Sequence, residues 1–118
     1  MDYVDEDGYP SEEALEMIEK WDEQDAKGFF EFVKSIWHMP NWGWGEEINE
    51  EGNKEYHIAT GGWSGNESII YSMRKNRIVW LFTWVQSDRG GGHIFEIREQ
   101  LEQSLEEKIA DLKKSWIN

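Results

Sequence analysis

The 118 residues predict an α+β fold with a mostly antiparallel sheet of about four strands. Two helical apolar patterns occupy the first third of the chain, and a third closes it. Between them lie short strand-like runs separated by glycine-rich turns, with one brief helical pattern inserted. The order read from these patterns is α-α-β-β-α-β-β-α, in a single domain of 14.0 kDa. Residues 1–38 form its acidic helical part, 46–98 the sheet with its inserted helix, and 99–118 the last helix.

Ser11 reads as an N-cap, with Glu12 and Glu13 placed where a first helical turn favours acids. Ala14, Leu15, Ile18 and Trp21 follow at helical spacing and turn Glu13, Glu16, Glu19 and Glu23 outward. A second helix is expected from about Asp25 to Trp37, its apolar face made by Phe29, Phe30, Val33, Ile36 and Trp37. Gly28 near its start costs about 1 kcal/mol relative to alanine in a helix interior. Pro40 ends that helix and leaves residues 38–45 as a loop carrying Trp42 and Trp44.

Glu46–Glu51 and Lys54–Thr60 read as a hairpin closed by Gly52 and Asn53, which sets Glu51 opposite Lys54 and Glu50 opposite Glu55. A glycine-rich turn then enters a helix running to about Lys75, with Ile69, Ile70 and Met73 as its buried stripe. Ser64 and Glu67 stand at capping-box spacing at its start. Ile78–Val85 is the most apolar run and is expected to be a central strand buried on both faces. In that reading Trp80, Phe82 and Trp84 share one face and Val79, Leu81 and Val85 the other. Ser87–Gly92 forms a turn and His93–Arg98 a returning strand. Leu101, Leu105, Ile109, Leu112 and Trp116 make one seam of the last helix, with Lys113 and Lys114 near its C-terminus.

The formal net charge is −13, and the chain has no cysteine. Twelve acids against Lys20 and Lys27 put −10 on residues 1–31 and leave −3 for the rest. Such a balance argues against direct nucleic-acid binding and against docking on an anionic membrane. The acidic start, with no long apolar run, leads to the expectation of a cytoplasmic protein. The three histidines have no short ligand spacing and the acids no calcium-loop order, so neither metal nor cofactor is expected.

Two segments carry chemistry: Thr60-Gly61-Gly62-Trp63-Ser64-Gly65-Asn66-Glu67 and Ser87-Asp88-Arg89-Gly90-Gly91-Gly92-His93. With the aromatic-rich Val79–Trp84 between them, they resemble a family of small phage, prophage and mobile-element proteins over about residues 56–98. Asp88 stands where that family's pattern has one of two paired arginines, and an extra glycine separates Arg89 from His93. The resemblance implies a mobile-element origin within a bacterial host cell and brings no activity with it.

The first loop offers backbone N–H groups at a helix start, a place for an anion, but lacks the Lys-Ser/Thr ending of a P-loop. Convergence of the loops would bring together Trp63, Ser64, Gly65, Asn66, Arg89 and His93, with His57 and Glu67 nearby, around a small anionic ligand or nucleotide. Against this stands a purely architectural role for the glycines and caps, and no residue is assigned to catalysis. The other expectation is a protein contact. Glu12, Glu13, Glu16, Glu19 and Glu23 would steer a basic partner, and Trp42 and Trp44 would anchor it. A host defence nuclease, or a basic toxin neutralised by an immunity protein, fits those charges. Pairing of the C-terminal seam with a second copy makes monomer and homodimer both admissible.

Overall fold

The computed structural model describes residues 3–98, 109, 110 and 112–114. Helix α1 spans Glu12–Lys20, and the Ser11 hydroxyl accepts from the Ala14 N–H at 3.0 Å as expected. Helix α2 spans Ala26–Ile36. Its N-cap is Asp25, whose carboxylate accepts from the Gly28 N–H at 3.0 Å. A Cβ at Gly28 would lie 2.1 Å from that carboxylate, so this glycine makes room for the cap. Met39 is left-handed (φ 56°) and turns the chain into a single helical turn, α3, at Pro40–Gly43. The segment expected as loop therefore contains a helical turn, with proline at the first position, where its missing N–H costs nothing.

Strands β1 (Trp44–Ile48), β2 (Lys54–Ala59), β3 (Trp84–Ser87) and β4 (Gly92–Ile97) form one antiparallel sheet in the order β1-β2-β4-β3. The hairpin exists in another register than expected. Glu47 faces Glu55 and Ile48 faces Lys54. Five residues, Asn49–Asn53, make the turn, because the Asn49 side-chain oxygen accepts from the Glu51 and Asn53 N–H groups, both at 3.0 Å. This asparagine-built turn displaces the two-residue Gly-Asn turn.

Helix α4 spans Ser64–Lys75 as anticipated. The capping box does not form: Trp63 is the N-cap, with no side-chain cap bond, and Glu67 instead accepts from the Thr60 hydroxyl at 2.7 Å. The larger correction concerns Ile78–Val85. Arg77–Thr83 is helix α5, and the chain passes at once into the short strand β3. Ile78, Val79 and Thr83 are buried, whereas Leu81 is 62% exposed. That pattern follows a helix facing the core, not a strand covered on both sides. The buried Asn76 amide fixes the helix entrance by donating to the carbonyls of Ile18 (3.0 Å) and Trp21 (3.1 Å).

One face of the sheet presents Tyr56, Ile58, His93 and Phe95 to the helices. Phe30 of α2 stacks on Tyr56 with ring centroids 4.4 Å apart and lies 5.2 Å from Phe95. Trp80 of α5 meets Phe95 edge-on, also at 5.2 Å. Strand alternation places Glu47, Glu55, His57, Ile94 and Glu96 on the opposite, outer face. Residues 109–110 and 112–114 are helical and Ile109 is buried. The expected seam positions Leu101, Leu105 and Trp116 lie outside the described residues. Among the described residues no helix is long and apolar enough to cross a membrane.

Glu46 ties β1 to its neighbours. Its carboxylate accepts from Trp44 Nε1 at 2.8 Å and pairs with Lys54 at 2.7 Å and Lys34 of α2 at 3.1 Å. Partial burial pushes its pKa up, but the hydrogen bonds from Lys54, Trp44 and Lys34 outweigh this and hold it at about 2. A carboxyl depressed on folding stabilises the native state above its unfolded value and loses that contribution as pH falls through the folded one. With the side chain 25% exposed, solvent screening leaves about 1–2 kcal/mol. Urea denaturation of Glu46→Gln should show that deficit from pH 7 down to about pH 4.5, closing toward pH 2. A deficit independent of pH would mean that the ion pairs contribute nothing.

Candidate functional site

Three surfaces gather the residues singled out in the sequence. The first is the outer face of α1. Glu12, Glu13 and Glu16 are exposed there, as expected. Glu16 pairs with Lys20 at 2.8 Å, and that bond holds its carboxyl below the usual range. Glu19 and Glu23 are half-buried instead. Glu19 accepts from the Ser72 hydroxyl of α4 at 2.9 Å and lies 4.0 Å from Lys75. Glu23 pairs with Lys113, whose hydrogen bond lowers its pKa. A recess of about 430 Å³ is lined by Glu13, Glu16, Met17, Lys20, Trp21 and Asp22. Met17 and Trp21 thus lie among three acids and Lys20, the cation that pairs with Glu16.

The second surface is the junction of the glycine loops, which do meet at one end of the sheet. The Thr60 N–H donates to the Gly91 carbonyl at 3.0 Å. Gly91 has φ +85°, and a Cβ there would lie 2.4 Å from the Thr60 hydroxyl. Only glycine combines that backbone with that approach. The side chains expected to converge are largely engaged elsewhere. Trp63 does not pack on the sheet; it lies between His38 (4.1 Å) and Tyr9 (4.7 Å). Its ring covers the first turn of α4 so closely that a Cβ at Gly65 would lie 2.2 Å away. The Ser64 hydroxyl faces the Tyr9 hydroxyl at 3.4 Å. Asn66, 2% exposed, clamps the backbone of His38, accepting from its N–H at 3.0 Å and donating to its carbonyl at 3.1 Å.

In the second loop the Asp88 carboxylate accepts from the N–H groups of Gly90 (2.9 Å) and Gly92 (3.0 Å). The chain's own carboxylate thereby fills the anion cradle that this glycine turn provides. Arg89 is exposed at the tip of the turn. His93 is 6% exposed, with Nδ1 2.7 Å from the Ser87 hydroxyl. That hydroxyl accepts from Trp84 Nε1 at 2.8 Å and can donate to the Nδ1 of a neutral His93 imidazole. Burial, with the Arg74 charge, lowers its pKa and favours that neutral form.

The third surface is a groove of about 390 Å³ at the same end of the sheet. Gly43, Gly45 and Gly92 line it together with Trp42, Trp44, His57 and Asp88. Trp42 is 67% exposed and rests over Gly61. Trp44 is half-buried, edge-on to Trp37 (5.6 Å) and Tyr56 (5.9 Å). Of the two expected anchors, Trp42 alone projects freely; Trp44 belongs mainly to the packing.

His57 departs from the loop cluster. Its Nε2 lies 2.9 Å from both Glu47 Oε1 and Glu55 Oε1 on the outer face. Each of the three offers one ligand atom, all within 4.8 Å of one another. The Glu55-x-His57 alternation was visible in the sequence as a same-face pair, but Glu47 joins it only through the observed hairpin register. Compared with protein-family models, with curated proteins and with solved structures, the chain matches none.

Proposed function

We propose that this protein is a binding protein whose acidic α1 engages a basic protein partner. The observation that carries the reading is the recess on α1. There Glu13, Glu16 and Asp22 line one recess with Met17, Trp21 and Lys20, and Glu12 continues the acidic face. Steering by concentrated negative charge and anchoring by an aromatic side chain that the partner desolvates are two properties that favour a fast, specific contact. Glu19 and Glu23 support the helix instead of the partner, since each is tied to another part of the chain. Trp42, exposed at the end of the sheet, supplies a second apolar contact. The resemblance of the two glycine turns to phage and mobile-element proteins favours inhibition of a basic host factor, such as a defence nuclease in the bacterial cytoplasm. An immunity protein for a basic toxin would use the same contact chemistry.

Affinity capture from bacterial lysate, with a Glu12→Lys/Glu13→Lys/Glu16→Lys chain as the paired bait, tests this. The native chain should retain one basic protein stoichiometrically, and the reversed chain should lose it. Affinity of the recovered pair should fall at least about tenfold between 50 and 300 mM salt, because exposed charges are screened over a Debye length. Salt-independent binding, or equal capture by the reversed chain, would remove α1 from the contact.

A further inference from the structure

We propose that Glu47, Glu55 and His57 form a surface site for one divalent transition-metal ion, Zn2+ being the cation that the donor set suits best. One imidazole nitrogen and two carboxylate oxygens from adjacent strands lie within 4.8 Å of one another. Bonds of about 2.0–2.2 Å to zinc from nitrogen and oxygen bring three such atoms onto one ion with side-chain adjustment alone. The imidazole selects zinc over magnesium and calcium, which prefer all-oxygen shells. Three protein ligands leave further coordination positions free, and His57 also lines the groove beside Trp42.

The surroundings favour a cation. The register sets Glu47 directly opposite Glu55, and Glu55 directly opposite Glu96, three like charges across neighbouring strands, of which Glu96 is paired with Arg98 at 3.0 Å. Such cross-strand pairs are destabilising by themselves. Among the described residues no lysine or arginine pairs with Glu47 or Glu55; the only ion-pair partner of either is His57. Asn49 Nδ2 bridges Glu55 (2.8 Å) and Glu96 (2.5 Å) and so orients the Glu55 carboxylate. A separate observation comes from Asn53, which alternation places on this face. It is 3% exposed, with Nδ2 3.4 Å from Glu96 and Oδ1 without a hydrogen-bond partner. Asn53 Oδ1 is thus a buried acceptor left without a donor beside Glu96, whose carboxylate also takes Arg98 Nε at 3.0 Å.

The test is Zn2+ titration of the tag-free full chain by calorimetry, alongside His57→Gln, Glu47→Gln and His38→Gln. Glu47 and His57 are exposed, and far-ultraviolet circular dichroism will establish that the variants fold. The expected result is one saturable Zn2+ per chain, undisturbed by a hundredfold excess of Mg2+. His57→Gln and Glu47→Gln should each weaken it at least tenfold, and His38→Gln should leave it unchanged. Native-like affinity in His57→Gln, absence of saturable one-to-one binding, or displacement by Mg2+ would overturn the proposal.

Discussion

Phe30→Ala should lower the unfolding free energy by about 3–5 kcal/mol, the usual cost of truncating a fully enclosed aromatic ring. Phe30 is 0% exposed and is the ring on which three elements meet. It stacks on Tyr56 of β2, crosses Phe29 of α2 edge-on and contacts Phe95 of β4. Removing it leaves a cavity bounded by two strands and a helix, and strands that are hydrogen-bonded to each other cannot both move inward to fill it. Against a total stability of about 5–15 kcal/mol for domains generally, such a loss is a large fraction of what holds the fold. Urea denaturation should show a lower midpoint with an unchanged slope. A loss below about 1 kcal/mol would mean that the stack does not organise the core.

The second large effect concerns Asn66. Asn66→Ala should cost about 1–3 kcal/mol, because it leaves both the N–H and the carbonyl of His38 without their protein partner. Asn66→Asp sharpens the interpretation. It keeps an acceptor for the His38 N–H but sets a carboxylate oxygen against the His38 carbonyl, so it should be no less damaging than alanine. Both variants should also perturb the near-ultraviolet circular dichroism of Trp63, whose ring stacks on His38. Tolerance of aspartate would show that only the N–H contact matters.

These two residues differ in how far the sequence revealed them. Phe30 stood in a clear helical stripe, and both α1 and α2 were legible because caps, spacing and charge agreed at each end. Asn66 was visible as part of a glycine-rich turn but not as a clamp, since its partner lies 28 positions away. Ile78–Val85 misled because a short apolar run reads equally as buried strand or helix. The helix begins just after Asn76, whose amide is held by the Ile18 and Trp21 carbonyls, contacts that no local pattern shows. The glycine loops meet through Thr60 and Gly91, a convergence that the sequence left open. What they hold was hidden, because Asp88 satisfies its own turn and Trp63 pairs with residues from the N-terminal segment. The cluster on the outer face escaped for a related reason: Asn49 sets the hairpin register, and register alone decides whether Glu47 or Glu50 stands across from Glu55.

The order β1-β2-β4-β3 leaves β1 and β3 as the margins of the sheet, and a margin exposes backbone groups on which a strand of another molecule can add. The two are guarded differently. β3 is four residues long and broken by a register shift between Trp84 and Gln86, so it offers little straight length for pairing. β1 is regular and ends in the exposed Ile48, but carries Glu46 and Glu47 beside it. Glu46 is already paired with Lys34 and Lys54, so the repulsion falls on Glu47, against which an approaching copy would have to bring its own. The acidity of this strand is thus a barrier to self-templated stacking of chains.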